Sequence, residues 1–494
     1  MSNHKMSRRD LLRSAAIVAA ATAVSACTPA VSTQPAAQAT EKPVEKSPAA
    51  KEVKIVFYAG TTAPTDPNAS LPAGQKPKVA LQKITDAYRA LHPNVSVEWY
   101  RFPEGVSTSE WLTARILAQD APEIYSCNPE EVFPFVNKGY ALDFGPAYAS
   151  PNPYEPGNKA WKDQFREVAL NYAIGPDGKY YSAIMDEMGV MISYNKTLFQ
   201  KLGLNVPKSW GDFMAACKAI KEAGTIPIAG DMSYDNWYPE WTSTPNLNQI
   251  WYDTIYKADD DGNRLIGSKE VAIHVQKGDW YDWDADLLAT KLLKETLPYL
   301  PDGWQGVLDL AMLFRQQTCA MIYDGSWNVQ NYVNDPPPFE VAYMEFPILE
   351  KEITPRASGK NVATMGAWGN VNWHIPGYIG SDQEKADTIF DYLKFIFTPD
   401  SVTAMSAESG MIPTITGATA PPMMAPFRRD YDRPVPFQGW ENLSEDAYRA
   451  QLEVWGTYLP SNMSDNEYLE LAKAKLNDQV RRAVELNPDW KVSN

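Results

Sequence analysis

A strand–helix–strand pattern near the start of the folded region constrains the architecture of this chain most strongly. Val53 to Tyr58 is a short run rich in β-forming residues, and residues 95–99 alternate apolar and polar side chains. Residues 77–91, between them, place four apolar side chains at helical spacing: Leu81, Ile84, Tyr88 and Leu91. Two strands joined through a helix run parallel and need helices over the sheet. Helix-like residues 109–118 and strand-like residues 124–127 continue the pattern, which predicts an α/β fold.

Three further helices are predicted from start signals and apolar spacing. Ser209 precedes a helix that begins at Trp210, presents Cys217 on its apolar face and is stopped by Gly224. The other two are expected at 382–398 and 465–485. No internal repeat interrupts this order, so the chain does not read as a solenoid.

Length and charge exclude several classes of protein. At 494 residues the chain is too long for one core and predicts two or three domains. A net charge of −16 argues against a nucleic-acid-binding protein, because binding to nucleic acid needs clustered Lys and Arg. Four His residues count against a His-rich metal site, and we expect no metal and no cofactor. The 16 Trp residues are an excess that any functional interpretation has to explain.

The first fifty residues predict an export signal and a tether. Arg8 and Arg9 precede an Ala-rich apolar run, which resembles a twin-arginine signal peptide over residues 1–26. Small residues before Cys27 resemble a bacterial lipobox, so we expect lipidation of Cys27, with a plain secretory signal as the alternative. Residues 27–50 are rich in Pro and Ala and read as a tether. The exported body would then be held at the outer face of the cytoplasmic membrane or in the periplasm, and its net charge becomes −19.

Three cysteines remain in the exported body: Cys127, Cys217 and Cys319. They allow at most one internal disulfide, and their spacing does not assign it. Cys217 shares an apolar helical face with Phe213 and Ile220, which predicts a buried, inert thiol.

Six motifs follow one another in order along the chain: Gly178-Lys179-Tyr180-Tyr181, Ser193 to Phe199, Ser209 to Phe213, Ala223 to Pro227, Phe314 to Trp327 and Lys385 to Pro413. This set resembles the sugar-binding family 1 of extracellular solute-binding proteins, which are receptors of ATP-driven importers related to maltose-binding protein. Together they span about residues 51–485. Members often carry Pro where this chain has Ile184, which leaves the contacts of Asp186 and Glu187 open.

The resemblance implies a two-lobe α/β fold with a ligand cleft between the lobes. Crossing segments are expected near 183–188, 344–348 and 409–413. Lobe one is then 51–184 plus 346–410, and lobe two is 185–345 plus 411–494. Binding would close the lobes by hinge motion and present a closed surface to an ABC permease. We expect a monomer that binds a small solute.

Candidate ligand contacts in lobe one come from strand ends, where open parallel sheets place ligands. Tyr58 and Thr61 follow the first strand. Asn128 and Glu130 follow a later strand and open a helix, so Asn128 serves equally well as a helix cap. Together with Asp186 and Glu187 they offer groups that hold sugar hydroxyls.

Candidate aromatic contacts come from the Trp-rich segments, because aromatic rings match the apolar faces of sugars. Residues 234–256 interleave rings with carboxylates, and we expect Trp237 and Trp241 to be exposed to the cleft and residues 251–256 to belong to a core helix. Trp327 stands where the resembled family places a ligand-stacking Trp. Trp368 follows a Gly-rich turn, and a ligand role and a packing role are equally favoured for it.

One segment matches part of a calcium-loop pattern. Asp259, Asp261, Asn263 and Glu270 occupy offsets 1, 3, 5 and 12, but Arg264 stands where the loop requires Gly. An Asp-Gly hairpin turn explains the segment better.

The sequence leaves three functional classes to weigh. We expect a sugar-binding receptor and no catalytic residues, since no Ser-His-Asp order, HExxH or P-loop is present. A lipid-anchored glycoside hydrolase needs only two placed carboxylates, and a lipid-anchored adhesion protein is the third class. Within the binding class, a cationic solute such as a polyamine also suits rings and carboxylates.

Overall fold

The computed structural model describes residues 51–493, except residues 72–75, 104–105, 107, 235, 363–368, 370 and 429–438 and the side chains of 108, 109 and 130. The predicted signal peptide, the lipidated Cys27, the tether and Trp368 therefore lie outside the described residues.

Five strands form the first sheet, in the order β2-β1-β3-β10-β4. They are β1 Val53–Tyr58, β2 Val95–Trp99, β3 Ile124–Ser126, β4 Ala183–Ile184 and β10 Asn372–His374. Strand β1 runs parallel to both β2 and β3, and helix α1 (Ala80–Leu91) connects β1 to β2. The predicted βαβ unit is confirmed. Strand β10 enters antiparallel between β3 and β4, so a late segment of the chain returns to the first sheet.

Four strands form the second sheet, in the order β7-β8-β6-β9. They are β6 Val190–Asn195, β7 Ile226–Ala229, β8 Cys319–Gly325 and β9 Val341–Met344. Every residue of β6 and β8 is buried, because helices cover the sheet on both faces. The mixed α/β architecture with two sheets agrees with the expected two-lobe fold.

A short two-stranded ladder pairs the connection between the two sheets with a late segment of the chain. Strand β5 (Asp186–Glu187) pairs antiparallel with β11 (Ile412–Pro413). Two of the expected crossing segments therefore run side by side. Strand β5 lies between β4 and β6 along the chain, whereas β11 belongs to a much later segment.

The five helices predicted from the sequence lie close to their predicted positions, and the described residues form further helices that were not predicted. They are α1 Ala80–Leu91, α2 Thr108–Ala118, α3 Pro129–Val132, α4 Gly145–Ala149, α5 Glu167–Tyr172, α6 Lys196–Leu202, α7 Trp210–Glu222, α8 Tyr238–Trp251, α9 Ser268–Lys277, α10 Trp283–Thr296, α11 Leu310–Arg315, α12 Ser326–Asn334, α13 Gln383–Ile396, α14 Pro399–Ser409, α15 Glu445–Tyr458 and α16 Asp465–Leu486. The side chain of Ser209 accepts a hydrogen bond from the amide of Asp212, which confirms the predicted N-cap of α7.

Each sheet has its own hydrophobic core. Ile55, Phe57 and Trp373 centre the first core, which α1 and α13 complete. Ile192, Met321 and Trp251 lie in the second core, together with α15 and α16. The predicted core role is confirmed for Trp251 and Ile255. The helix expected over residues 251–256 is wrong, because α8 ends at Trp251 and a turn leads into a 3₁₀ helix at Ile255–Ala258.

The segment after β9 packs differently from the expected lobe boundary. Phe346, Leu349 and Ala357 lie in the second core, although the expected boundary placed them in lobe one. The amide side chain of Gln249 explains this, because it accepts from Leu349 N and donates to the Pro347 carbonyl, as another backbone strand would. The return of the chain to the first sheet therefore comes after Ala357.

Cys127, Cys217 and Cys319 are buried thiols in different places of the fold. Burial raises the pKa of Cys319 to about 12 and also raises that of Cys217, so both stay protonated at neutral pH. The inert character predicted for Cys217 agrees with this. In the part of the chain that the structure describes, no helix combines the length and apolar character needed to cross a bilayer.

Candidate functional site

Four aromatic rings follow one another along the second core, and we call them the aromatic row: Tyr448, Trp237, Trp241 and Trp327. The rings of Tyr448 and Trp237 stack with centroids 4.5 Å apart. Trp237 and Trp241 lie 6.4 Å apart and nearly parallel, and Trp241 and Trp327 lie 5.5 Å apart. Stacked and tilted pairs at these distances attract one another, so the row holds its geometry without a ligand.

The start of helix α8 sets the spacing of the two central rings. Trp237 is the N-cap residue and takes a left-handed backbone (φ +54°). The amide of Trp241 donates to the carbonyl of Trp237 at 3.0 Å. Residues four apart on a helix face the same way, so both indoles extend to one side.

Trp327 lies at the other end of the row, on the first turn of α12. Its indole folds back over Gly325, where a Cβ would overlap the ring. Glycine at 325 is therefore required for this ring position. Trp327 is partly buried and also packs against a small cluster that contains Tyr172 and Met188.

A charged group flanks the Tyr448 end of the row. The Arg449 guanidinium lies 4.0 Å from the ring centroid of Tyr234 and donates to Glu445 Oε1 at 2.6 Å. The other carboxylate oxygen of Glu445 is buried and has no hydrogen-bond partner among the described residues. A buried carboxylate oxygen without a donor is costly, so this position favours a ligand that brings a hydroxyl or ammonium group.

Glu131 faces this site from the first sheet. It follows β3 on helix α3, and its Oε2 accepts from the amide of Asn128 at 2.9 Å. Burial, opposed by that hydrogen bond and reinforced by the charge of Glu445, raises the pKa of Glu131 to about 7. Tyr58 lies on the same side, and burial together with the charges of Cys127 and Glu131 raises its pKa to about 12. Carboxylates from segments of both cores thus influence one another.

A cavity of about 310 Å³ lies beside these groups. Its walls come from elements of both cores and include Pro129, Phe133, Asn171, Leu265, Glu270 and Asn442. Pro129 precedes Glu131 by two residues, and Asn442 precedes Glu445 by three. Leu265 packs against the same cluster as Trp327. The cavity therefore neighbours segments that carry Glu131, Glu445 and Trp327, but neither these side chains nor the other rings of the row line it. Its size suits a small polar solute.

The exposure expected for Trp241 is wrong. Only 9% of its surface is exposed, because its ring packs between Trp237 and Trp327 at the base of the row. Trp237, by contrast, is partly exposed. Trp237 and Trp241 both belong to the row, but of these two residues only Trp237 is partly exposed to solvent.

The other lobe-one candidates are in different environments. Tyr58 is partly buried among Tyr100, Phe102 and Trp111, whereas Thr61 is exposed. Asn128 is exposed and its backbone is capped by Glu131. The side chain of Glu130 lies outside the described residues.

Asp186 and Glu187 are buried in the small β5–β11 ladder. Asp186 Oδ1 accepts from the amide of Val371 at 3.0 Å, and Glu187 lies 3.4 Å from the Arg166 guanidinium. These contacts hold the crossing segments together, and ligand contact by either carboxylate stays a prediction.

The hairpin expected at Asp261-Gly262 is wrong. Gly262 does take a positive φ of +74°, but the turn joins a 3₁₀ helix (Ile255–Ala258) to α9, with no flanking strands. The carboxylate oxygens of Asp259, Asp261 and Glu270 gather within 4.8 Å of one another. Backbone amides of Asp260 and Gly267 donate to both oxygens of Glu270, which fixes it as a helix-start cap. The cluster closes one edge of the cavity.

Sequence reasoning missed Glu131, Tyr448, Glu445 and Arg449. The last three lie on α15, far along the chain from Trp237, and no motif marks them. The only local signal is the start of α15 after Ser444, whose side chain caps the amide of Ala447.

Comparison with known proteins gives a family match over residues 73–403, to the model described as bacterial extracellular solute-binding protein. The multiple sugar-binding protein of Streptococcus mutans is 23% identical over 281 residues, which cover 54% of this chain and 59% of that protein. The sn-glycerol-3-phosphate-binding periplasmic protein UgpB of Agrobacterium fabrum is 29% identical over 117 residues, 23% of this chain and 25% of that protein. The matches thus span between a quarter and three fifths of these relatives' lengths.

Solved structures share the fold over nearly their whole length. A protein studied for xylan utilization by Caldanaerobius polysaccharolyticus superposes with a TM-score of 0.61 at 18% identity, covering 86% of this chain and all of that one. RafE from Streptococcus pneumoniae gives 0.58 at 16% identity, covering 87% and 98%. The GacH receptor of Streptomyces glaucescens, solved unliganded and with acarbose, gives 0.59 at 17% identity, covering 89% and 100%.

Proposed function

The chain belongs to the bacterial extracellular solute-binding protein family, and we propose that it captures a sugar or oligosaccharide by lobe closure and delivers it to an ABC permease. The observation that carries this proposal is the aromatic row with the Arg449–Glu445 pair at its Tyr448 end, where Glu445 and Glu131 are close enough for their charges to interact. A sugar presents apolar C–H faces to rings and hydroxyls to carboxylates.

The site assignment that we propose combines the sequence candidates with the newly found groups. Tyr58, Trp237 and Trp327 are ligand contacts, and Trp241 supports the row from below. Glu131 and Glu445 hold hydroxyls. Asp186 and Glu187 position the crossing segments, while contacts by Thr61, Asn128, Glu130 and Trp368 stay predictions.

The lobe boundaries are also a proposal. Lobe one consists of residues 51–184 and the return segment up to 410, and lobe two of 185–345 and 411–494. The packing of Phe346, Leu349 and Ala357 in the second core supports moving the start of the return segment beyond Ala357. The β5–β11 ladder is the hinge region in this scheme, because both crossings pass through it.

Membership of an extracellular family makes this an exported protein. Lipidation of Cys27, the tether 27–50 and a monomeric body that meets permease subunits are parts of the proposal. Such an arrangement keeps the receptor within reach of its permease.

The protein acts as a receptor and not as an enzyme in this proposal. The relatives are named as binding proteins. A carboxylate with a raised pKa opposite a second carboxylate is, however, also the arrangement of a glycoside hydrolase. Recovery of the ligand separates the two functions.

The test is a binding screen on the purified protein, with Trp fluorescence and calorimetry as readouts. The panel contains raffinose, stachyose, chitobiose, xylotriose, D-galactose, spermidine and sn-glycerol-3-phosphate. We expect a saturable fluorescence change with a neutral sugar and its unchanged recovery by chromatography. Cleaved sugar at catalytic rates supports a hydrolase instead, and stabilisation by spermidine alone supports a cation receptor.

A further inference from the structure

The end of the last helix contacts a segment beside the first sheet, mainly through one buried amide side chain. Asn487 ends α16 and is 4% exposed. Its Oδ1 accepts from Asn137 Nδ2 at 2.9 Å, and its Nδ2 donates to the carbonyl of Pro134 at 3.2 Å. A third bond, to the carbonyl of Ala483 at 3.1 Å, stays within α16. Two of the three bonds thus leave the helix, and we call this contact the Asn487 clasp.

The two sides of the clasp belong to different cores. Pro134 and Asn137 lie in the 3₁₀ helix Phe133–Lys138, which packs with Val132 and Tyr140 beside β3. Leu476 and Val480 of α16 lie in the second core. The clasp therefore bridges elements that pack in different clusters.

The chain after Asn487 is attached to the cavity wall. Gln276 of α9 donates to the carbonyl of Trp490 at 3.0 Å and accepts from the amide of Val492 at 3.3 Å. Lys269, Glu270 and Ile273 of the same helix line the cavity. Phe133, at the start of the clasped 3₁₀ helix, also lines the cavity. The clasp thus links two segments that each contribute to the cavity wall.

We propose that the Asn487 clasp is an affinity-setting contact that forms on lobe closure and holds the cavity shut without touching the solute. The inference rests on the proposed function, since it requires a ligand that closes the lobes. In the open state water satisfies the same amide and carbonyl groups, so the clasp contributes only to the closed state. Loss of the clasp lowers the closed fraction, and apparent affinity falls in proportion.

Asn487→Ala removes both hydrogen bonds that the Asn487 side chain makes to the 3₁₀ helix Phe133–Lys138. We expect affinity for the best-binding sugar of the panel to fall about tenfold, since two neutral hydrogen bonds disappear from the closed state alone. Stopped-flow fluorescence should place the loss in a faster dissociation rate, with association unchanged. Asn137→Ala, at an exposed residue, removes the 2.9 Å bond to Asn487 and a longer 3.4 Å bond to the carbonyl of Leu486, and should give a loss in the same direction. The Asn137→Ala variant keeps the proposal testable if Asn487→Ala fails to fold.

Asn94→Ala is the matched control. Its side chain makes one bond, to the carbonyl of Lys51 at 3.0 Å, on the first-sheet side only. It should leave affinity and dissociation unchanged. Wild-type affinity in folded Asn487→Ala and Asn137→Ala would overturn the clasp, and so would a loss confined to the association rate.

The clasp and the proposed function fail in distinguishable ways. If no sugar of the panel binds wild type, the proposed function is wrong, and the clasp is then measured by hydrogen exchange in the presence of the panel compound, spermidine or sn-glycerol-3-phosphate, that binds wild type. Faster exchange at residues 134–138 in Asn487→Ala than in wild type supports the clasp. Equal exchange there refutes it.

Discussion

The ring of Trp237 stacks on the ring of Tyr448, with centroids 4.5 Å apart and planes 12° from parallel. This contact joins the start of α8 to α15 and positions Arg449 and Glu445 beside the aromatic row. Aromatic pairs of this kind contribute about 0.5–1.5 kcal/mol beyond the area that they bury. The site is consequently organised before a solute arrives, which lowers the entropic cost of binding.

Replacement of the end ring of the row should weaken binding. We expect Trp327→Ala to reduce sugar affinity about tenfold or more, because the stacking surface at that end is lost. Calorimetry with the best-binding panel sugar measures the change, and circular dichroism checks the fold.

Trp99→Ala is the control for that experiment. Its indole is partly buried on the first sheet and donates to Gln82, so ligand affinity should stay unchanged. Unchanged affinity in Trp327→Ala itself would remove Trp327 from the site.

Sugar affinity should depend on pH through Glu131. Burial, with the charge of Glu445, raises its pKa to about 7. We take this burial to arise on lobe closure. The closed state then binds the proton of Glu131 more tightly than the open state, so low pH favours closure. This advantage is lost as the pH rises through about 7. We expect a several-fold fall in affinity between pH 6 and pH 8, measured by calorimetry.

Two variants test whether the carboxyl group of Glu131 causes this pH dependence. Glu131→Gln should abolish it, and Glu445→Gln should reduce it because one cause of the raised pKa is removed. A pH profile that is identical in all three proteins would contradict this account.

Stability should also fall as pH rises, because of Glu240. Its carboxyl is 2% exposed, and burial, opposed by a hydrogen bond from Thr244 and reinforced by the charge of Asp286, holds its pKa well above 4.5. The stabilisation of its protonated form is complete below pH 4.5 and is lost as pH rises through the folded-state pKa. We expect Glu240→Gln to raise the melting temperature by a few degrees at pH 8.5 and to change it little at pH 5.

Differential scanning calorimetry at both pH values measures this effect. Glu52→Gln, on an exposed residue, should leave the pH dependence unchanged. A Glu240→Gln protein that is less stable than wild type at pH 8.5 would show that the carboxylate is stabilised by contacts other than those described.

Cys27→Ala should release the protein from the membrane. If Cys27 carries the lipid, the variant appears in the soluble extracellular or periplasmic fraction, and the mass of the wild-type N-terminal peptide exceeds the unmodified value. A Cys27→Ala protein that stays with the membrane would argue against the anchor.

Local signals were sufficient for much of the fold. The β1–α1–β2 unit and the Ser209 cap were predicted from short-range periodicity and capping chemistry, which act within a few residues. Leu91 shows the limit of such patterns, because it fits the helical spacing yet is 62% exposed at the last residue of α1. The apolar spacing specifies a face, but the partner segment decides which positions on it are covered.

The missed part of the site depends on contacts between distant segments. Nothing near Tyr448 indicates that its ring stacks on Trp237, and nothing near Glu131 reveals the charge of Glu445. The segment 346–357 was misplaced for a similar reason, since a single side chain, Gln249, directs its backbone to the second core. Trp327 was found only through family resemblance, because its environment is assembled from three separate regions.

The three buried cysteine thiols bear on where this protein can fold. Its cores are complete with Cys127, Cys217 and Cys319 as thiols, so the body needs no oxidant to reach its native state. A reducing compartment and an oxidising one therefore support the same structure. Folding can be finished on either side of the membrane, which makes the body compatible with export as an already folded molecule and insensitive to the redox conditions outside the cell.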